Sequence, residues 1–276
     1  MNLKRAFLIT TTALLLPGMA MAQVADARFL VSKTFTDGNT ASINVVITCN
    51  TGVPLSQNAD ITAASPVGFV VASFDSTVGS CTITEDGEAG YTGSYVANGG
   101  TASATSCVID DTNFVVDGDQ TCAITNSPTP VQVSVTKEWN LEGAGGNEVD
   151  MDSTFYVTSM GSITGGAPCL DGPFGEGSDY YCSMLTFSGA GTQSVAVTPE
   201  VGGTVVNIDE DNQDSAVVVT NDCGGSVTVS PGDAAESCIF TNTVFFEGIP
   251  TLNQYGMAIL ALLMLGVGFV GFRRFA

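Results

Sequence analysis

The 276-residue chain contains no histidine, one tryptophan, and only seven lysines and arginines against 28 aspartates and glutamates, for a formal net charge of −21. Without histidine there is no Ser-His-Asp or Cys-His centre. A tetrahedral zinc site loses its usual nitrogen donor as well, and no Cys-x-x-Cys pair occurs to replace it. So little positive charge argues against nucleic acid and anionic lipid headgroups as partners. No motif singles out a carboxylate pair suited to glycoside hydrolysis. Gly266-x-Gly268-x-x-Gly271 spells a dinucleotide fingerprint, but no strand precedes it and no second half of a βαβ unit follows. These absences leave a non-enzymatic reading with no cofactor and no metal.

Also missing between residue 23 and the tail is a helical period. The chain there consists of short alternating runs broken by Gly, Asn, Asp and Ser, which predicts an all-β protein built of sandwiches. Residues 1–22 read as a secretory signal peptide: Lys4 and Arg5 precede the apolar stretch Ala6 to Leu16, and Ala20-Met21-Ala22 offers small residues for cleavage before Gln23. At the other end the chain is apolar and uncharged over 255–272. At ~1.5 Å per residue this is long enough to cross most of a ~30 Å hydrocarbon core. Arg273 and Arg274 follow, so the positive-inside rule orients the body outward.

Eight cysteines fall four and four into two halves, which in an exported chain reads as disulfides. A break at 128–130, Pro128-Thr129-Pro130, separates a repeat over 28–127 from another over 131–247. Their endings match best: Cys122-Ala123-Ile124-Thr125-Asn126 parallels Cys238-Ile239-Phe240-Thr241-Asn242, and Cys107 precedes Cys122 by the interval that separates Cys223 from Cys238. Spacing alone allows three pairings of four cysteines in each repeat. If Cys107–Cys122 and Cys223–Cys238 are the shared pair, Cys49–Cys81 and Cys169–Cys182 remain.

The two lysines beyond the signal peptide, Lys33 and Lys137, lie on apolar faces. Phe29, Val31, Lys33 and Phe35 share one side of a two-residue period, as do Val133, Val135, Lys137 and Trp139. Glu85 shares a face with Cys81 and Ile83, and Glu210 with Val206 and Ile208. Asn126 follows Cys122 and Ile124, and Asn242 follows Cys238 and Phe240. Each repeat thus turns a lysine, a glutamate and an asparagine inward, and burying an ammonium costs several kcal/mol unless it is paired or neutral. Desolvation favours the neutral, nucleophilic amine and the protonated carboxyl. Such a trio is equipped to join lysine to asparagine with loss of ammonia. The competing readings are a buried Lys–Glu ion pair with an asparagine nearby, or a lysine whose head reaches solvent.

Two resemblances follow from these residues. Ile249-Pro250-Thr251-Leu252-Asn253-Gln254-Tyr255-Gly256, the apolar span and the two arginines resemble the IPTL-type C-terminal sorting domain, a relative of the signals processed by exosortases, with Tyr255 where that family usually has tryptophan. It implies signal peptidase and an exosortase-like sorting enzyme as partners, with a chain tethered in the inner membrane and then released to the surface. Val135-Thr136-Lys137-Glu138-Trp139, Thr82-Ile83-Thr84-Glu85 with Gly90-Tyr91-Thr92, and Thr241-Asn242-Thr243 resemble motifs of the Cna protein B-type and prealbumin-like domains of bacterial surface proteins. That resemblance implies two tandem Ig-like sandwiches and intramolecular isopeptide bonds Lys33–Asn126, assisted by Glu85, and Lys137–Asn242, assisted by Glu210. The second repeat lacks the Gly-Tyr-Thr segment.

The function expected is therefore a structural or adhesive component of the cell surface or matrix, its extracellular partner unnamed by the sequence. The alternative is a binding module for a glycan, cation or small ligand on the same scaffold. Asp209-Glu210-Asp211-Asn212-Gln213-Asp214 departs from the EF-hand pattern and reads as a solvated loop apart from Glu210. Asp117-Gly118-Asp119 reads as a hairpin turn.

Overall fold

The computed structural model describes residues 24–142, 151–169, 180–211, 217–245 and 259–265. The chain divides into two compact units: the first runs to Glu88 and resumes over Thr92–Ser127, and the second takes Ala89–Tyr91 and the chain from Pro128. Apart from a short helix over 259–265, the regular structure described is β.

In the first domain the strands are β1 (Val24–Phe35), β2 (Ile43–Cys49), β3 (Ser56–Ile61), β4 (Val67–Asp75), β5 (Cys81–Glu85), β6 (Tyr91–Ala97), β7 (Ala102–Ser103), β8 (Cys107–Ile109) and β9 (Gln120–Pro128). They form two sheets, ordered β4-β1-β9-β6-β7 and β3-β2-β5-β8. Alternation decides the faces. Along β1, Phe29, Val31, Lys33 and Phe35 are buried, whereas Arg28, Ser32 and Thr34 are exposed. Phe29, Val31, Val45, Ile47, Ile83 and Ile124 fill the space between the sheets, each contributing about 1.5–3 kcal/mol by leaving water. The first and last strands run parallel and adjacent, with Val31 opposite Cys122 and Phe35 opposite Asn126.

The second domain repeats this plan with β10 (Val131–Glu142), β11 (Asp152–Ser159), β12 (Ala167–Pro168), β13 (Tyr181–Ser188), β14 (Gly191–Val197), β15 (Thr204–Glu210), β16 (Val217–Asn221), β17 (Ser226–Val229) and β18 (Glu236–Phe245). Its sheets are β14-β10-β18-β16 and β12-β13-β11-β15-β17. Again the first and last strands pair in parallel, with Val135 opposite Cys238 and Trp139 opposite Asn242. Phe155 centres the core, its ring edge-on to Phe187 and Phe240.

Disulfides join Cys49 to Cys81, Cys107 to Cys122, Cys169 to Cys182 and Cys223 to Cys238. On the loop-entropy model, closing about 15 residues contributes ~3 kcal/mol. Pro128 ends β9, so Thr129 and Pro130 alone separate it from β10.

One local expectation is corrected. Asp117-Gly118-Asp119 does not turn a hairpin, because β8 pairs with β5 in one sheet while β9 pairs with β1 in the other. The segment crosses between sheets and is held by buried Gln120. The Gln120 amide donates to Val115 O at 2.7 Å and Gly118 O at 3.0 Å, and its Oε1 accepts from Val115 N at 2.9 Å.

The expected signal peptide over 1–22 lies outside the described residues. So do Ile249, Pro250, Thr251, Leu252, Tyr255 and Gly256 of the sorting motif, together with Arg273 and Arg274. Of the span over 255–272 only 259–265 is described. It is helical and exposed, and no helix among the described residues is long and apolar enough to cross a membrane.

Candidate functional site

Each domain draws its candidate residues from three strands, and the second brings all three together. In the first, β1 supplies Lys33, which stands opposite Ile124 of β9. Asn126 lies two residues further along β9, so its side chain is on the same inner face. The facing sheet contributes Glu85, the last residue of β5. Lys33 Nζ donates to Glu85 Oε2, and the two side chains are 0% and 2% exposed. Asn126 is buried, and its Oδ1 has no hydrogen-bond partner.

The second domain places Lys137 opposite Phe240 on β18, with Asn242 two residues on and Glu210 ending β15. Lys137 Nζ is 3.1 Å from Glu210 Oε1 and 3.5 Å from Oε2, and these side chains are 0% and 4% exposed. Asn242 Nδ2 donates to the same Oε1 at 2.9 Å. One carboxylate oxygen therefore lies between the amine and the carboxamide nitrogen. Asn242 Oδ1, like its counterpart, is buried without a partner. Neither lysine reaches solvent, so the reading in which their heads escape the core is corrected: the alternation that buries the stems leaves no exit for the ammonium.

Burial pushes both lysine pKa values down from 10.5, and the adjacent glutamate opposes the shift in each domain. Burial raises Glu210, against the opposing charge of Lys137 and the hydrogen bond from Asn242. Aromatic rings close the amine in. Lys33 Nζ is 4.8 Å from the Phe35 ring centre, and Lys137 Nζ is 4.3 Å from Trp139 and 5.9 Å from Phe155.

Sequence reasoning passed over two neighbours. Phe155 sits opposite Glu210 in the β11–β15 register, where the first domain has Val45 opposite Glu85. The alternation Ser153, Phe155, Val157 was the signal for it. Gly93 is the other: a Cβ there would lie 3.2 Å from both Glu85 Oε1 and the hydroxyl of buried Tyr95. Burial, and then the charge of Glu85, raise the Tyr95 pKa. No motif exposes Gly93, because it needs no positive φ and its role is spatial.

The remaining candidates divide. Asp209 and Glu210 end β15 and Asp211 donates its backbone N–H to Thr154 O, while 212–216 lie outside the described residues. Asp222, Cys223 and Cys238 cluster within 4.8 Å, but both sulfurs are committed to a disulfide. A cavity of about 410 Å³ in the first domain has Phe74 and Phe114 in its lining, with Asp26, Arg28 and Asp119 beside them.

No family model matches the chain, and no curated protein matches it. Among solved structures it is similar to the major pilin from Streptococcus pyogenes, with 13% identity over 81% of this chain and 100% of the pilin and a TM-score of 0.30. It is also similar to a single B repeat unit of the collagen-binding surface protein Cna of Staphylococcus aureus, with 12% identity, 81% and 100% coverage and a TM-score of 0.27. The Bacillus anthracis TIE protein gives 10% identity, 80% and 34% coverage and a TM-score of 0.43.

Proposed function

We propose that the protein is an exported, non-enzymatic structural component of the cell surface or extracellular matrix, in which each sandwich covalently ties its first strand to its last. The observation that carries this is the Glu210 carboxylate, ion-paired through Oε1 with Lys137 Nζ at 3.1 Å and accepting at the same oxygen from Asn242 Nδ2 at 2.9 Å, inside a closed core. Neutral Lys137 Nζ attacks Cγ of Asn242. The Nζ–Cγ bond forms, the Cγ–Nδ2 bond breaks, and Glu210 carries a proton from Nζ to the departing nitrogen, which leaves as ammonia. Lys33, Glu85 and Asn126 do the same in the first domain. The chemistry consumes its own side chains and gives no turnover, which supports a structural role over catalysis.

In this reading the signal peptide is removed by signal peptidase. The tail around Ile249-Pro250-Thr251-Leu252 holds the chain in the inner membrane until an exosortase-like enzyme releases it. The cavity beside Arg28 favours a secondary capacity for a small ligand in the first domain.

The test is peptide mapping of the exported protein after non-tryptic digestion. Branched peptides joining Lys33 to Asn126 and Lys137 to Asn242 are expected, each lighter by one ammonia. Mapping is needed because an N-terminal glutamine left by cleavage before Gln23 also loses ammonia when it cyclises. Linear peptides containing unmodified Lys33 and Lys137 would refute the chemistry.

A further inference from the structure

Parallel pairing of the first and last strands does not by itself specify which inner residue of the last strand meets the lysine. On β9 the inner face reads Cys122, Ile124, Asn126, Pro128, and on β18 it reads Cys238, Phe240, Asn242, Val244. A slip of one residue would turn the apolar face to solvent and is strongly rejected. A slip of two, about 7 Å, keeps the apolar residues inside. It would bring Ile124 or Pro128 to the place of Asn126, or Phe240 or Val244 to the place of Asn242, so burial alone rejects it weakly.

A disulfide crosses the sandwich at this point in the first domain, and in the second domain one ties the last strand to the turn where the chain passes from β16 in its own sheet to β17 in the other. Cys122 lies four residues before Asn126 on the same face, and its partner Cys107 belongs to β8 in the opposite sheet. There Cys107 stands opposite Ile83, two residues before Glu85 on β5. The bond therefore links the neighbourhood of the glutamate to the strand of the asparagine. In the second domain Cys238 lies four residues before Asn242, and Cys223 precedes the segment in which Gly225 O accepts from Ile208 N at 2.7 Å, two residues before Glu210. Asp222 Oδ1 also accepts from Ile239 N at 2.7 Å, which holds that segment to β18. The other two disulfides do not touch the last strand: Cys49–Cys81 joins β2 to β5 within one sheet, and Cys169–Cys182 fastens the β12–β13 edge.

We infer that Cys107–Cys122 and Cys223–Cys238 are register pins, so that each lysine–asparagine bond forms only after its own pin has closed. The inference rests on the cross-linking reading above and adds its order and control: the protein stays unlinked while its thiols are reduced and links once they are oxidised. Closing a pin removes two electrons and two protons from two thiols, and these pass to a disulfide oxidant. The amide exchange that follows involves no oxidation.

The test uses the full chain, made without export under reduction and then given oxidised glutathione, with each branched peptide followed over time. In the wild type both branched peptides should appear only after oxidation. In Cys107→Ser/Cys122→Ser the Lys33–Asn126 bond should form roughly a hundredfold more slowly, as expected for misplaced reactants, while Lys137–Asn242 keeps its rate. Cys223→Ser/Cys238→Ser should show the converse. Cys169→Ser/Cys182→Ser removes a constraint at the β12–β13 edge, away from both trios, and should leave both rates unchanged, while Cys49→Ser/Cys81→Ser frees the strand of Glu85 but not the last strand and should slow the Lys33–Asn126 bond far less than loss of its pin, separating register from general stability. If the oxidised wild type never loses ammonia, the cross-linking reading itself fails. If it does so but the reduced chain cross-links as fast, or a pin variant that folds by circular dichroism keeps its rate, the cross-linking reading stands and this inference is overturned. A pin variant that does not fold leaves the decision to the wild-type oxidation experiment, which needs no substitution.

Discussion

In the first domain Lys33 lies near one ring, Phe35, with Val45 opposite the glutamate. In the second Lys137 lies near two, Trp139 and Phe155, and Phe155 holds the position of Val45. Glu85 is followed in sequence by Gly90-Tyr91-Thr92 and has the Gly93–Tyr95 contact beside it, whereas Glu210 is followed by no such segment and yet accepts from Asn242 at 2.9 Å. The Gly-Tyr-Thr motif is therefore not what aligns amine, carboxylate and carboxamide. The two domains share the parallel pairing of first and last strands and differ in the residue opposite the glutamate, which is aliphatic in one and aromatic in the other.

The strongest way to break the comparison is to block each proposed bond in turn. Asn126→Ala and Asn242→Ala keep the Lys–Glu pair but open a loop of roughly a hundred residues, so each should cost its own domain ~4–5 kcal/mol if disulfide entropy transfers to this link. Guanidinium melts check this. Trp139, the chain's single tryptophan, reports the second domain, and a loss of its stability in Asn126→Ala would show that the domains are not independent. Glu85→Gln and Glu210→Gln should reproduce the corresponding losses with the ammonia retained.

A smaller effect sharpens the contrast in packing. Phe155→Val gives the second domain the residue of the first. It removes a ring packed on Phe187 and Phe240, and should cost about 2–3 kcal/mol by thermal melting. The reciprocal Val45→Phe should overpack the first domain by about 1–3 kcal/mol. If either exchange is neutral, the two sites are not held by their fillers.

Gly93→Ala acts on the first domain alone. Its Cβ presses on Glu85 and Tyr95, so we expect a loss of about 1–2 kcal/mol and slower appearance of the Lys33–Asn126 peptide, with the Lys137–Asn242 peptide unaffected.

The smallest effect is in pH dependence. Once Lys137 is an amide its charge no longer opposes burial, and the folded pKa of Glu210 stays above its ordinary 4.5. The folded state then binds more protons than the unfolded one between 4.5 and the raised value. The stabilisation is full below 4.5 and is lost as pH rises through the folded pKa. Melting followed by Trp139 should show this decline, and Glu210→Gln should abolish it.

Much of this arrangement was legible because strands alternate. The two-residue period put Lys33, Glu85 and Asn126 on inner faces without reference to any fold, and the even division of cysteines between the halves foretold four disulfides. Which sheet each strand joins was not legible. The Asp117-Gly118-Asp119 segment has the composition of a hairpin turn, yet it crosses between sheets because β8 finds β5 and β9 finds β1, and such long-range choices leave no mark in turn chemistry. Phe155 and Gly93 escaped for the same reason: their importance lies in what stands opposite them.

The two lysines buried in the cores are also the only cleavage points for trypsin between Arg28 and Arg273. Joined to asparagine, they offer neither a free amine to acylating reagents nor a bond to trypsin, and the released chain beyond Arg28 would leave a tryptic digest as one cross-linked fragment. A surface made largely of such a protein would yield almost no peptides in a routine proteomic survey, and its abundance would be underestimated by the method most used to measure it.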